Sequence, residues 1–211
     1  MAPDTAPYAS CRDVVPASTI YPRMDFLIYH AGYEPDNVER AFDPKVERRG
    51  TDTLIHSLLR SGIGHGSNVY AEIGASWRSV MKDPTQASHV IGKLLKYIGE
   101  DNILWGTDSL VVGSPQDQIQ AFQTFQISRE FQERYAYPAL NDSIRAKIFG
   151  LNAARVYGLA DTSSEHTENR KDDPLQRVRA LYAEQADPSF MSDGPRTRAE
   201  FIHLAQPRGA H

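Results

Sequence analysis

The chain has 211 residues, of which 40% are hydrophobic and 24% charged, and its formal net charge at pH 7 is −4. This composition is that of a globular domain, and it excludes a wholly disordered chain, a collagen-like repeat and a disulfide scaffold. The mildly acidic balance provides no general attraction to nucleic acid or to anionic lipid, so we expect neither as a partner.

The single cysteine, Cys11, cannot form an intramolecular disulfide or a cysteine-based zinc site, and such cysteine usage is typical of a reducing compartment. The first residues contain neither the basic nor the apolar segment of a secretory leader. No window of the sequence reaches the ~18 apolar residues that a membrane span needs. We therefore expect a cytoplasmic protein.

Three short apolar stretches predict buried strands, at residues 24–30, 68–74 and 102–108. Each stretch is apolar on both of its alternating faces over most of its length, which is typical of strands covered on both sides. Amphipathic segments lie between them. The alternation of strand and helix predicts an α/β fold with right-handed crossovers and a parallel sheet.

The clearest predicted helix follows Asp83, an N-cap residue with proline at the first helical position, and is expected to stop at Gly99. Its apolar residues recur at helical spacing. The outer face, which carries His89 and Lys93, is expected to be solvated. An earlier amphipathic helix is expected to end at Gly62.

Three further helices are predicted after the last strand. One opens at Ser114 and its following proline, and Asn141 is expected to cap a second, short helix that ends near Gly150. Asn152 is expected to cap the last helix, and Gly158 to close it.

The composition divides the chain into two regions, residues 1–161 and residues 162–211. The first region holds every predicted strand and helix. The second opens with a polar, charged stretch at 162–173 that is typical of a linker, and continues with one amphipathic patch and several prolines. We expect it to be a peripheral C-terminal extension and not a second domain.

Two polar side chains, His30 and Asp108, stand at the carboxyl ends of apolar strands. In parallel sheets and barrels this edge is where ligands and catalytic groups gather. An imidazole and a carboxylate that converge there suit a divalent-metal hydrolytic site, in which the carboxylate holds the metal and accepts a proton from water. The histidine would then hydrogen-bond or protonate the substrate.

Structural roles for the same residues remain open on the sequence alone. His30 could end a strand with its ring hydrogen-bonded, and Asp108 could be a turn or N-cap aspartate, since one histidine and one aspartate fall short of the usual three ligands. Glu72, at the end of the middle strand, could support the site from behind or form a salt bridge at the rim.

The remaining histidines and glycines show no recognisable site. His56, His65 and His89 are expected to be solvated, and the three histidines of the extension show no ligand spacing, at positions 166, 203 and 211. The glycine-rich segment 62–66 leads into a strand and not into a helix, which favours a turn over a phosphate loop. The motifs of serine hydrolases, P-loop kinases and zinc proteases are absent from the sequence.

Several motifs resemble the last third of the amidohydrolase-related family of metal-dependent TIM-barrel hydrolases and decarboxylases. They are the runs at 89–96, at 99–109 with its Gly-Thr-Asp, and at 147–159 with its Asn-Ala-Ala-Arg. The strand at 26–32 resembles the sixth barrel strand of that family, and residues 11–16 resemble the helix before it.

The resemblance covers residues 10–160 and implies a partial (β/α)8 TIM barrel: C-terminal strand-helix units, closing helices and an irregular C-terminal extension. It implies that Asp108 binds the metal and serves as general base. It also implies that His30 lies beside the metal and acts on the substrate. Asn152 and Arg155 match a closing helix, where capping and packing explain them.

The metal ligands that the family carries on its first strand, an H-x-H pair, and on its fifth strand have no counterpart in this sequence. The chain is expected to begin near the helix that follows the fifth strand. A single carboxylate binds a divalent cation too weakly to retain it. Zinc, with manganese as the alternative, is therefore expected only if a full-length parent or an N-terminal half-barrel partner supplies the missing ligands.

The resemblance thus implies metal-dependent hydrolysis or decarboxylation of a small carboxylate-bearing substrate, with His30 and Asp108 as catalytic residues. The alternative is a non-catalytic remnant that acts as an interaction or oligomerisation module. Unpaired sheet edges would in that case favour a homo-oligomer.

Overall fold

The computed structural model describes residues 10–46, 49–109 and 114–159. Within these residues the chain combines helices with a small parallel sheet. The predicted extension at 162–211, with its three histidines, lies outside the described residues. No helix in the described part of the chain is both long and apolar enough to cross a bilayer.

The sheet has three parallel strands in chain order, β1 (Phe26–Ile28), β2 (Val69–Glu72) and β3 (Ile103–Leu104). Leu27 pairs with Tyr70, and Ala71 pairs with Ile103. The predicted parallel sheet is therefore confirmed. Each strand is shorter than predicted, because the chain turns out of the sheet within a few residues of the edge where the candidate site lies.

Helices connect the strands. Those before β3 are a 3-10 turn at Cys11–Asp13, α1 (Val14–Ile20), a 3-10 segment at Tyr29–Gly32, α2 (Thr51–Arg60), α3 (Gly74–Val80), α4 (Pro84–Tyr97) and a 3-10 turn at Glu100–Asn102. Those after β3 are α5 (Gln116–Thr124), α6 (Arg129–Tyr135), α7 (Asp142–Ala146), a π-helical segment at Lys147–Leu151 and α8 (Asn152–Val156).

Two predicted caps are confirmed. The Asp83 side chain accepts the N–H groups of the next helical turn at the start of α4, and Gly99 follows that helix with a φ of +95°. Asn141 accepts the N–H of Ile144 at 2.9 Å at the start of α7. Both caps rest on contacts within four residues, which local sequence can specify.

The predicted end near Gly150 and the predicted cap at Asn152 are wrong. The helical path continues from α7 through the π-helical segment into α8, and Asn152 itself has helical angles of −66° and −46°. Its buried amide donates 2.8 Å hydrogen bonds to the carbonyls of Glu100 and Ile103. Asn152 therefore lies inside the helical path and fastens the closing helix to β3, and it is not an N-cap.

The outer face predicted for α4 is also wrong, because Lys93 is fully buried. Its Nζ lies 2.5 Å from Oε2 of Glu39 and 2.5 Å from Oδ1 of Asp52, and both carboxylates are buried with it. Glu39 also accepts the N–H and the hydroxyl of Thr51. The segment between β1 and α2 thus supplies the carboxylate that makes burial of the lysine tolerable.

His89 and His56 are buried as well, against the prediction that both are solvated. The His89 ring packs against Phe131 and Tyr135 of α6, with centroids 5.0 and 5.1 Å apart. The His56 Nε2 lies 3.0 Å from the carbonyl oxygen of Val46. Helix α6, distant in sequence, covers the His89 ring, whereas the loop before α2 contacts the His56 ring. His65 is exposed, as predicted.

Candidate active site

His30 is the second residue after β1, in a segment that turns sharply out of the sheet. Its φ and ψ are 57° and 21°, those of Ala31 are 53° and 27°, and Gly32 follows with a φ of +72°. Residues other than glycine rarely adopt this left-handed backbone conformation. The turn directs His30 away from the sheet, so that its ring reaches the groups that follow β2 and β3.

Asp108 stands after β3 and also has a left-handed backbone, with a φ of 51°. Its Oδ2 atom lies 3.6 Å from Nε2 of His30, and the side chains are 26% and 33% exposed. The structure therefore brings the two predicted site residues together, at the carboxyl edge of the sheet. This distance is slightly longer than that of a hydrogen bond.

The hydrogen bonds of the His30 ring favour one tautomer. The backbone N–H of Ala75, in the first turn of α3, donates to Nδ1 of His30 at 3.2 Å. Nδ1 must be unprotonated to accept this bond, so the neutral ring carries its proton on Nε2. The Nε2–H group consequently faces Asp108. The ring is hydrogen-bonded, as one interpretation of the sequence expected, and it also faces a carboxylate.

Glu72, at the end of β2, contacts the His30 segment from behind. Its Oε2 accepts the backbone N–H of His30 at 3.0 Å and lies 3.4 Å from Nδ1 of the ring. Its Oε1 accepts the N–H of Gly74 at 2.7 Å. The side chain is only 13% exposed. Glu72 therefore supports the candidate site from inside the fold and is not an exposed salt bridge at the rim.

In the turn around Asp108, the hydroxyl oxygen of Thr107 accepts the N–H of Ser109 at 3.3 Å. The Asp108 carboxylate faces His30.

His65, Arg155 and the glycine-rich segment 62–66 form contacts away from His30 and Asp108. His65 places Nε2 2.9 Å from the Lys96 carbonyl oxygen, and Arg155 donates to the Asp101 carbonyl at 2.5 Å. In the glycine-rich segment, Gly62 and Gly66 have φ values of +65° and +73°, which is typical of a turn. These contacts are structural and do not involve His30 or Asp108.

The number of possible metal ligands near His30 and Asp108 indicates whether a divalent metal fits there. Among the described residues, no group of three or more histidine, cysteine, aspartate or glutamate side chains is arranged to hold a metal ion. In the proton arrangement described above, Nε2 of His30 carries a hydrogen and is not a metal donor, so the pair offers the Asp108 carboxylate alone, fewer than the three ligands that catalytic metal sites usually take from protein. The described residues therefore do not by themselves fit a catalytic metal.

A family model described as amidohydrolase matches residues 4–159. The chain belongs to the amidohydrolase family. The match includes both His30 and Asp108 and all three strands, and it confirms the family that the motifs indicated. No curated protein and no solved structure matches the chain significantly. Amidohydrolases generally use divalent metals. The described residues of this chain do not provide enough ligands to hold such a metal by themselves.

Sequence reasoning underrated Glu72 and missed the buried cluster of Lys93, Glu39 and Asp52. A carboxylate that ends an otherwise apolar strand is a usable signal for Glu72, because such a group must find hydrogen-bond donors at the sheet edge. The cluster carries no comparable local signal. Its two acidic residues lie in segments where charged side chains are ordinarily solvated.

Proposed function

We propose that this chain supplies a His30–Asp108 pair to an amidohydrolase-type active site that hydrolyses or decarboxylates a small carboxylate-bearing substrate. The observation that carries the proposal is the 3.6 Å approach of Nε2 of His30 to Oδ2 of Asp108 at the carboxyl edge of a parallel sheet. Family membership supports the hydrolytic part of this proposal.

The two groups have complementary roles in hydrolysis. The Asp108 carboxylate can accept a proton from an attacking water, and the Nε2–H of His30 can donate a hydrogen bond to the substrate oxygen on which negative charge develops. Both side chains are partly exposed, so a small molecule can reach them.

We further propose that the three strands are consecutive strands of a (β/α)8 barrel and that residues 1–161 form its C-terminal part. The sequential parallel order of β1, β2 and β3, with helices between them, supports this arrangement. Residues 162–211 would form the peripheral extension.

In this proposal the metal is zinc or manganese, held by Asp108 with ligands from outside the described residues. A full-length parent or an N-terminal half-barrel partner would supply them. The metal would polarise the substrate or activate water once such a site is assembled.

The competing candidate is a non-catalytic remnant that serves as an interaction or oligomerisation module. The incomplete donor set favours it, as do exposed apolar side chains near the two sheet edges. Tyr29 follows β1 and is 71% exposed, and Leu151 precedes α8 and is 62% exposed. Either a homo-oligomer or a half-barrel partner would cover them.

Metal analysis and activity of one variant pair distinguish the two candidates. The purified chain, alone and co-expressed with any in-frame coding segment upstream of Met1, is assayed for bound zinc and manganese. Hydrolysis and decarboxylation are measured on a panel of small carboxylate-bearing lactones and aromatic acids. Asp108→Asn is compared with Asp117→Asn, an exposed aspartate on α5.

The proposed function predicts near-stoichiometric metal and measurable turnover in the assembled protein, both lost in Asp108→Asn and retained in Asp117→Asn. Metal-free, inactive protein in both preparations would instead establish the remnant. Light scattering of the same samples determines whether the apolar edges are covered by a second copy or by the co-expressed segment.

A further inference from the structure

The carboxylate of Glu72 lies where the segments after all three strands meet. It accepts the N–H of His30 after β1 and the N–H of Gly74 after β2. After β3, Gly106 passes so close that a Cβ atom there would overlap Oε1 of Glu72. One side chain therefore touches the segment that carries His30, the start of α3 and the segment that leads to Asp108.

The two glycines make this position possible. A Cβ atom at Gly74 would lie 2.6 Å from Oε1, and at Gly106 the carboxylate occupies the space that a side chain would need. Neither glycine has a positive φ, so the need for glycine at both positions comes from the space that Glu72 fills. The carboxylate is enclosed, with 13% of its side chain exposed.

The contacts of Glu72 fix both the backbone of His30 and the helix start that donates to its ring. The hydrogen bond to the His30 N–H holds a residue whose left-handed backbone is unfavourable without such support. The hydrogen bond to the Gly74 N–H fixes the start of α3, and the next residue, Ala75, donates to Nδ1 of the ring. The same carboxylate thus anchors the histidine and the donor that sets its tautomer.

We propose that Glu72 is a positioning residue that holds His30 in its left-handed turn and keeps the Nε2–H tautomer directed at Asp108. The inference rests on the proposed function for the use to which His30 is put. Glu72 does not itself reach the reacting atoms in this assignment. Its carboxylate form matters because two separate oxygens must each accept one N–H group.

Two variants disturb Glu72 by independent routes. Glu72→Gln keeps the size of the side chain but leaves one oxygen acceptor, so one of the two N–H groups loses its partner. Gly106→Ala keeps Glu72 and forces its carboxylate to move. Gly150→Ala is the matched control, because a Cβ atom there meets nothing within 4 Å.

The readout is nuclear magnetic resonance of the full chain labelled with nitrogen-15, without substrate or metal. In the wild type we expect the His30 ring nitrogens to report the Nε2–H tautomer and the His30 amide to be protected from exchange. In Glu72→Gln and Gly106→Ala we expect exchange of the His30 or Gly74 amide to rise about tenfold. The ring signals should shift toward a mixture of tautomers. Gly150→Ala should retain the wild-type spectrum.

Wild-type ring signals and amide protection in either folded variant would overturn the inference. So would unfolding of both variants while Gly150→Ala folds, because Glu72 would then be needed for the fold and not for the position of His30. The spectra do not depend on turnover. If the variants shift the His30 signals but the assembled wild-type protein is inactive, the proposed function alone is refuted. If the assembled wild-type protein is active but the variants leave the His30 signals unshifted, the positioning role alone is refuted.

Discussion

Nε2 of His30 lies 3.6 Å from Oδ2 of Asp108, and both residues hold left-handed backbone conformations, with φ values of 57° and 51°. For residues other than glycine this conformation costs on the order of 1–2 kcal/mol each. The surrounding contacts, including the Glu72 bond to the His30 N–H, must offset that cost. Both residues proposed to act on the substrate thus carry backbone strain, which is common at functional sites, and Ala31 and Ala136 share the same left-handed φ.

Replacing Asp108 by glycine should stabilise the protein, because glycine adopts a positive φ without steric cost. We expect Asp108→Gly to raise the free energy of unfolding by about 1 kcal/mol, measured by chemical denaturation. Ala136→Gly is the control, since Ala136 is exposed and has a φ of 52° outside the site. A destabilised Asp108→Gly beside a stabilised Ala136→Gly would mean that the contacts of Asp108 outweigh its strain.

Loss of the buried ammonium should be among the most damaging single changes. Lys93→Met leaves Glu39 and Asp52 buried without their cation, and we expect a loss of about 3–5 kcal/mol in the free energy of unfolding. Arg129→Met breaks the exposed pair with Glu133 and should cost far less. Similar losses in the two variants, measured by urea denaturation, would contradict a fully buried ion cluster.

The free energy of unfolding should fall as the pH is lowered through the range in which His89 is protonated in the unfolded chain but not in the folded one. Burial, followed by the nearby Lys93 charge, lowers the pKa of His89 from 6.5 to about 4. The unfolded chain therefore binds the proton first, so this contribution is fully present above pH 6.5 and is lost between pH 6.5 and about 4. We expect a loss on the order of 2 kcal/mol over that window.

His89→Phe tests this assignment, because phenylalanine preserves the aromatic packing and removes the titration. The free energy of unfolding of the variant should lose part of the wild-type slope between pH 4 and 6.5 and run parallel to the wild type above pH 7. Identical slopes in the acid range would assign the pH dependence to other groups.

The amide of Asn152 should matter more than that of Asn141. Asn152→Ala removes two hydrogen bonds, a buried one to the carbonyl of Ile103 and a partly buried one to the carbonyl of Glu100, and we expect it to cost about 2–3 kcal/mol in thermal or chemical denaturation. Asn141→Ala removes the N-cap of α7 and should cost about 1 kcal/mol. The reverse order would restore the capping role that the sequence suggested for Asn152.

The sequence by itself predicted the features that depend on neighbours along the chain. Apolar runs identified three strands, and the caps at Asp83 and Asn141 follow from bonds within one helical turn. The alternation of strand and helix specified a parallel sheet, and a parallel sheet places successive carboxyl ends at one edge. That rule is why His30 and Asp108 could be expected together before any coordinates, and the motifs around them indicated the family.

Only the tertiary structure decided which polar groups are buried and what they contact. Lys93 and His89 have the spacing of an exposed helical face, yet Glu39 and the rings of α6 cover them from distant parts of the chain. The left-handed turns and the bridging position of Glu72 likewise depend on three strand ends approaching within a few ångströms. Burial and hydrogen-bond partnership are properties of packed elements, so local spacing cannot specify them.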